Sequence, residues 1–193
     1  MESSQLSDKE LSSHYAWPQD RSFRLNMLLD DKDKSVGSDS TSESLTSPED
    51  RRVLRAIRAH ADVVIVGAAS IRAEGWFLPI RGRLAVLSIS SHLPWESCPD
   101  KSRVNLYPSV SALMHSLKDS EHNILCEGGI TTAELLQTHV GFDEIALTRI
   151  GSDSRKKLPD FLQTQQDYML NSTLSDAENG MTFQFWRRAV RPH

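Results

Sequence analysis

The chain has 193 residues, with 22 Lys and Arg set against 26 Asp and Glu for a formal net charge of −4. Apolar residues make up 38% and charged residues 25%, enough for one core, which excludes a collagen, a coiled coil and a wholly disordered chain. The acidic balance speaks against a nucleic-acid partner, and no run reaches the ~18 apolar residues that a membrane span requires.

Residues 1–20 are polar apart from Tyr15, Ala16 and Trp17, and read as an N-terminal arm, partly ordered at best, ahead of a single domain over 21–193. This segment has no basic stretch leading into an apolar one, so no secretory leader is expected and the cytoplasm is the expected compartment. The first strand is expected over 23–29, where Phe23, Leu25, Met27 and Leu29 alternate with Arg24, Asn26 and Leu28. A Ser/Thr-rich stretch follows over 35–47, too polar to offset its ordering entropy. It reads as a solvated loop or as a flap over a site.

Ser47, Pro48, Glu49 and Asp50 are the cap, first-position proline and acidic first turn of a helix. Val53, Leu54, Ile57 and Ala61 form its buried stripe, and Arg51, Arg52, Arg55 and Arg58 occupy much of the remainder. The uninterrupted run Val63–Val66 marks a strand buried on both faces, hence parallel. Short strands are expected over 84–88 and 103–107, a helix over 109–118 and a buried strand over 124–126. A helix over 131–138 and a strand over 144–148 follow. A last strand, Met181–Trp186, is expected to pair antiparallel at the sheet edge. Helices alternating with buried strands give an α/β three-layer sandwich on a mainly parallel sheet.

The cysteines, Cys98 and Cys126, form no C-x-x-C, which leaves neither a disulfide scaffold nor a zinc ribbon. The histidines are scattered without metal-ligand spacing, so no metal is expected. In parallel sheets ligands bind outside the carboxyl ends of the strands. Two strand-to-helix turns there carry suitable chemistry, Gly67–Ser70 and Glu127–Thr132. Around Gly128, Gly129 and Thr131 a helix N-terminus offers unpaired N–H groups to a pyrophosphate, although G-x-G-x-x-G is absent.

The segments MLLDDK (27–32), LTSPEDRRVLRAIRAHADVVIVGAASIRAE (45–74) and CEGGITTAELL with GFDE (126–144) resemble the reductase domain of riboflavin biosynthesis. The resemblance runs from about Arg24 to Phe185 and is densest over 45–81. It implies a dihydrofolate-reductase-like fold, a homodimer, and NADPH-dependent reduction of a phosphorylated ribosylaminopyrimidine. It implies catalytic roles for Asp30, Lys32 and Glu127, and a substrate site of Ser47, Arg58 and Arg81, whose arginines hold the phosphate. The cofactor would meet Gly67, Ala68, Ser70, Ser88, Gly128, Gly129 and Thr131. Several positions depart from the family pattern. Leu28 and Asp31 replace its Ser and Gly, Ala69 its second turn glycine, and Ile130 its proline. Ser88-Ile89-Ser90 lacks the basic residue often set there for a 2′-phosphate. The alternative is a noncatalytic relative that binds a ligand or partner on the same fold. No deaminase signature accompanies the reductase segments, so bifunctionality is not expected.

Overall fold

The β-branched run at Val63–Val66 is at most 1% exposed and forms the body of an inner strand. The computed structural model describes residues 7–35, 45–90, 92–151, 157–163 and 167–189. Thirteen elements follow in the order α1 (Asp8–His14), β1 (Ser22–Leu29), α2 (Pro48–Arg58), β2 (Val63–Gly67), α3 (Ala68–Glu74), β3 (Arg83–Leu87), β4 (Val104–Tyr107), α4 (Val110–Ser116), β5 (Asn123–Cys126), α5 (Ile130–His139), β6 (Glu144–Ile150), β7 (Tyr168–Asp176) and β8 (Met181–Arg188). They build one eight-stranded sheet in the order β4-β3-β2-β5-β1-β6-β8-β7. The first six strands pair in parallel, and β8 joins antiparallel between β6 and β7.

Alternate residues of the inner strands feed two cores, as a period of two requires. Val63 and Ile65 face Val110, Leu113, Ala133 and Leu136 of α4 and α5. Val64 and Val66 face Leu11, Val53, Ile57 and Ile71 of α1, α2 and α3. The result is the three-layer α/β sandwich expected from the chain.

Helix α2 starts as read: Ser47 caps it, its Oγ accepting from the Asp50 N–H at 3.1 Å, and Pro48 follows. Four features differ from expectation. Residues 8–14, read as part of an arm, form a helix with a complete capping box between Ser7 and Glu10. It is docked because Leu11 and Tyr15 are 1% and 2% exposed, two apolar groups too few to reveal a helix by periodicity. The small residues after β2 are themselves helical, the start of α3, which is not among the expected elements. The terminal strand pairs antiparallel with β6, but β7 rather than β8 is the edge. In β7, Tyr168, Leu170, Ser172 and Leu174 alternate with exposed residues, and the polar members mask the pattern. Finally, α4 ends at Ser116, before Lys118. Of the stretch read as a loop or flap, residues 36–44 lie outside the described residues.

Among the described residues no helix is long and apolar enough to cross a membrane. No group of three His, Cys, Asp or Glu side chains among them is placed to hold a metal.

Candidate active site

The carboxyl ends of β1, β2 and β5 and the inner side of α2 enclose a cavity of about 490 Å³. The parallel order puts it there, because each strand ends on the same side and hands its chain to a helix. Arg58, the last residue of α2, and Glu127, directly after β5, meet across it. The Arg58 Nε donates to both Glu127 carboxylate oxygens, at 2.8 and 3.0 Å, and Nη2 adds a third bond. The guanidinium also lies 4.3 Å over the Phe77 ring. The Glu127 side chain is 7% exposed and that of Arg58 is 29% exposed, so the pair is screened by solvent only on the arginine side.

Gly128 and Gly129 continue the wall. A Cβ on Gly128 would fall 2.5 Å from Cβ of Thr132, and one on Gly67 would fall 2.6 Å from its Oγ1. These glycines are therefore demanded by Thr132, which packs the two strand-to-helix turns together. Gly129 is different: a Cβ there meets nothing within 4 Å. It also caps α5 without a side-chain bond. The ten-residue helix α5 thus starts beside Glu127 with no side-chain cap.

Asp50 lines the cavity from the first turn of α2, beside Asn26 of β1. Its Oδ2 accepts from the Thr46 hydroxyl at 2.7 Å, and the Thr148 hydroxyl of β6 bonds to it as well. Burial pushes its carboxyl above the usual aspartate range, against the opposing pull of those hydroxyls and of Arg51. Trp76 and Phe77 close the far wall, with the Trp76 indole N–H donating to the Pro94 carbonyl at 2.7 Å.

Of the residues singled out from sequence, Arg58, Ser70, Glu127, Gly128 and Gly129 share this cavity. The others are not among its lining residues. The Asp30 Oδ1 is held by the N–H groups of Lys32 and Lys34, both at 2.8 Å, in a turn after β1, and Lys32 is exposed. That turn is tethered by Asp33, which pairs with the buried Arg149 at 2.7 Å. Ser47 is spent on capping α2, and Ala68 is 5% exposed in the core. Arg81 and Thr131 are exposed. The Ser88 hydroxyl is closed on Ser90, donating to its carbonyl at 2.6 Å, and Ile89 between them is 97% exposed. Arg58 is thus brought to Glu127 and not to Arg81.

Sequence reading missed Asp50, Thr46, Asn26, Trp76 and Phe77 as site residues. Asp50 passed as a first-turn helix acid. The available signal was Thr46 four residues ahead of it, a hydroxyl spaced to reach it.

Neither a protein-family model nor a curated protein matches the chain. Solved structures do. A pyrimidine reductase-like protein of Corynebacterium diphtheriae is similar with a TM-score of 0.69 at 16% identity, over 94% of this chain and 99% of that one. A protein assigned to riboflavin biosynthesis in Shewanella sp. PV-4 is similar with a TM-score of 0.64 at 14% identity, over 88% and 99%. RibD of Acinetobacter baumannii is similar with a TM-score of 0.64 at 12% identity, over 88% of this chain and 58% of that one. The chain has the dihydrofolate-reductase-like fold of these proteins, as its sequence resemblance implied.

Proposed function

We propose that the chain reduces a phosphorylated ribosylaminopyrimidine with NADPH as the reductant. The observation that carries this reading is the composition of one cavity. A guanidinium, a carboxylate and an uncapped helix N-terminus converge at the carboxyl ends of parallel strands. The structural neighbours named for pyrimidine reduction and riboflavin biosynthesis support it.

The residues present fit the pyrophosphate of a dinucleotide: the head of α5 is uncapped and Gly129 leaves its approach open. They fit its 2′-phosphate less well, because the Ser88–Ser90 turn has closed on itself and carries no cation. The nicotinamide, when bound, supplies the hydride. The protein's part is position, charge and exclusion of water. Arg58 takes the substrate phosphate, which requires exchanging its bonds to Glu127. Glu127 is thereby released toward the ribose hydroxyls. Trp76 and Phe77 shield the pyrimidine from water.

A second reading, binding without turnover, is favoured by the closed Ser88 turn and by an Arg58 already neutralised by Glu127. Titration with NADPH and then NADH separates the two. The reductase reading expects both to bind, with a preference for NADPH of about tenfold or less, equivalent to ~1.4 kcal/mol. Absence of dinucleotide binding at about millimolar concentration, roughly −4 kcal/mol, leaves the second. The expected homodimer and cytoplasmic location belong to the same proposal.

A further inference from the structure

The carboxyl of Asp50 is a cavity group for which the reductase reading has no role. It is half-buried in the first turn of α2 and lines the same space as the Arg58–Glu127 pair. A carboxylate has about four acceptor positions. Thr46 and Thr148 each supply one hydroxyl, which fixes the group from the segment ahead of α2 and from β6 and leaves acceptor capacity for the cavity. Glu127 is placed differently: both of its oxygens accept from Arg58 in the ligand-free protein, and the proposed function turns them to the ribose hydroxyls once Arg58 holds the phosphate.

We propose that Asp50 is the acid of the reaction, the group whose proton passes to the substrate's amine nitrogen as the sugar carbon is reduced. This rests on the reductase reading. In that reading the opened sugar is an imine, and reducing it needs a hydride at C1′ and a proton at nitrogen. As the hydride from the reduced nicotinamide forms the C1′–H bond, the π pair of the C=N bond moves to nitrogen. The nitrogen takes the proton from the Asp50 carboxyl, leaving an amine and a carboxylate that water reprotonates. A nitrogen that loses its proton in the ground state and regains it in the transition state needs such a donor within hydrogen-bond reach.

Arg51 and the Tyr15 phenol are electrostatic neighbours of Asp50, and the cavity it lines also carries Arg58 of α2, Glu74 at the end of α3 and Glu127 after β5. Of these, Arg51 favours the carboxylate, as do the Thr46 and Thr148 hydroxyls. Burial outweighs the balance and holds the group toward its protonated form.

The test has one arm without cofactor and one with it. In protein labelled with ¹³C-aspartate and free of any dinucleotide, the Asp50 carboxyl carbon should titrate above the ~3.9 of an ordinary aspartate. Thr148→Val should move that titration further up, since it removes a hydroxyl that favours the charged form. With NADPH and the ribosylaminopyrimidine phosphate, Asp50→Asn should lower kcat about a hundredfold or more, the scale of general acid catalysis. KM should change by no more than a few-fold. Wild-type kcat should fall as pH rises through the pKa of Asp50 in the complex, and the residual kcat of Asp50→Asn should lack that limb. A wild type that turns over, with Asp50→Asn equal to it or with the same pH limb in both, overturns the proposal and leaves the reductase reading standing. An Asp50 that titrates as an ordinary aspartate in the cofactor-free protein counts against it in the same way. A wild type that neither binds nor reduces the ribosylaminopyrimidine phosphate overturns both.

Discussion

At the scale of single residues the site is governed by which polar groups are already matched. The Arg58 and Glu127 pair is bidentate and mostly shielded, so either partner alone is a liability. Arg58→Ala should weaken binding of the pyrimidine phosphate by about 2–5 kcal/mol, the cost of leaving a desolvated charge unpaired. It should leave NADPH binding almost unchanged, which parallel titrations would check. Glu127→Gln should lower turnover more than affinity if Glu127 steers the opened ribose, a split that steady-state kinetics resolves. The glycines separate packing from ligand contact. Gly128→Ala must displace Thr132, and should cost about 1–3 kcal/mol of stability as an overpacked site does. Gly129→Ala meets open space and should cost less than about 1 kcal/mol as a cap. It should nevertheless weaken NADPH if the pyrophosphate approaches there. Denaturation and cofactor titration of the same two variants would show whether the effects divide in this way.

At the scale of elements, the N-terminal helix is held by a buried cation. Arg24 is fully buried, pairs with Glu144, donates to the carbonyls of Tyr15 and Ala16, and lies 4.0 Å from the Trp17 ring. Arg24→Ala should destabilise by about 3–5 kcal/mol, because Glu144 loses its buried partner and keeps only the half-exposed Arg187. The same helix carries a pH dependence. Burial, reinforced by Arg187, lowers the pKa of His14, whose Nε2 lies 3.0 Å from the Ser172 hydroxyl of β7. A histidine with a depressed folded pKa takes up its proton more readily when unfolded. Its contribution is therefore present above about 6.5 and is lost as pH falls below that value toward the folded pKa. The protection of α1 amides, relative to their intrinsic exchange rates, should fall on acidification through that window, and His14→Gln should flatten the response. The sequence made α2 legible because cap, proline, acids and apolar stripe agree at Ser47–Ala61, and β2 because Val63–Val66 is unbroken. It concealed α1, whose docking depends on the buried Arg24 and on Phe185, far along the chain, against His14 and Tyr15. It concealed β7, whose half-buried face includes Ser172. In the site, Glu127 and Arg58 were legible as types at strand and helix ends, but their mutual pairing is tertiary. Asp50 was hidden because a first-turn acid already has a local explanation in the helix dipole.

At the scale of the molecule, a mainly parallel sheet with two antiparallel strands leaves β4 and β7 as its edges. Strand β7 covers β8 and carries Met169, which is 62% exposed. Unpaired strand edges of this kind invite a partner. The expected homodimer should therefore form through β7. Light scattering at tens of micromolar should give twice the chain mass, and Met169→Lys should shift it toward the monomer. In the function proposed, one cavity, built on the Arg58 and Glu127 pair, reduces a phosphorylated ribosylaminopyrimidine. The direct measurement follows NADPH consumption and product formation when that pyrimidine phosphate is mixed with the protein. A ribityl product should form in proportion to NADPH consumed, and Arg58→Ala should lose pyrimidine binding. No turnover by the wild type, together with an Arg58→Ala variant that binds the pyrimidine phosphate as well as wild type does, would contradict it.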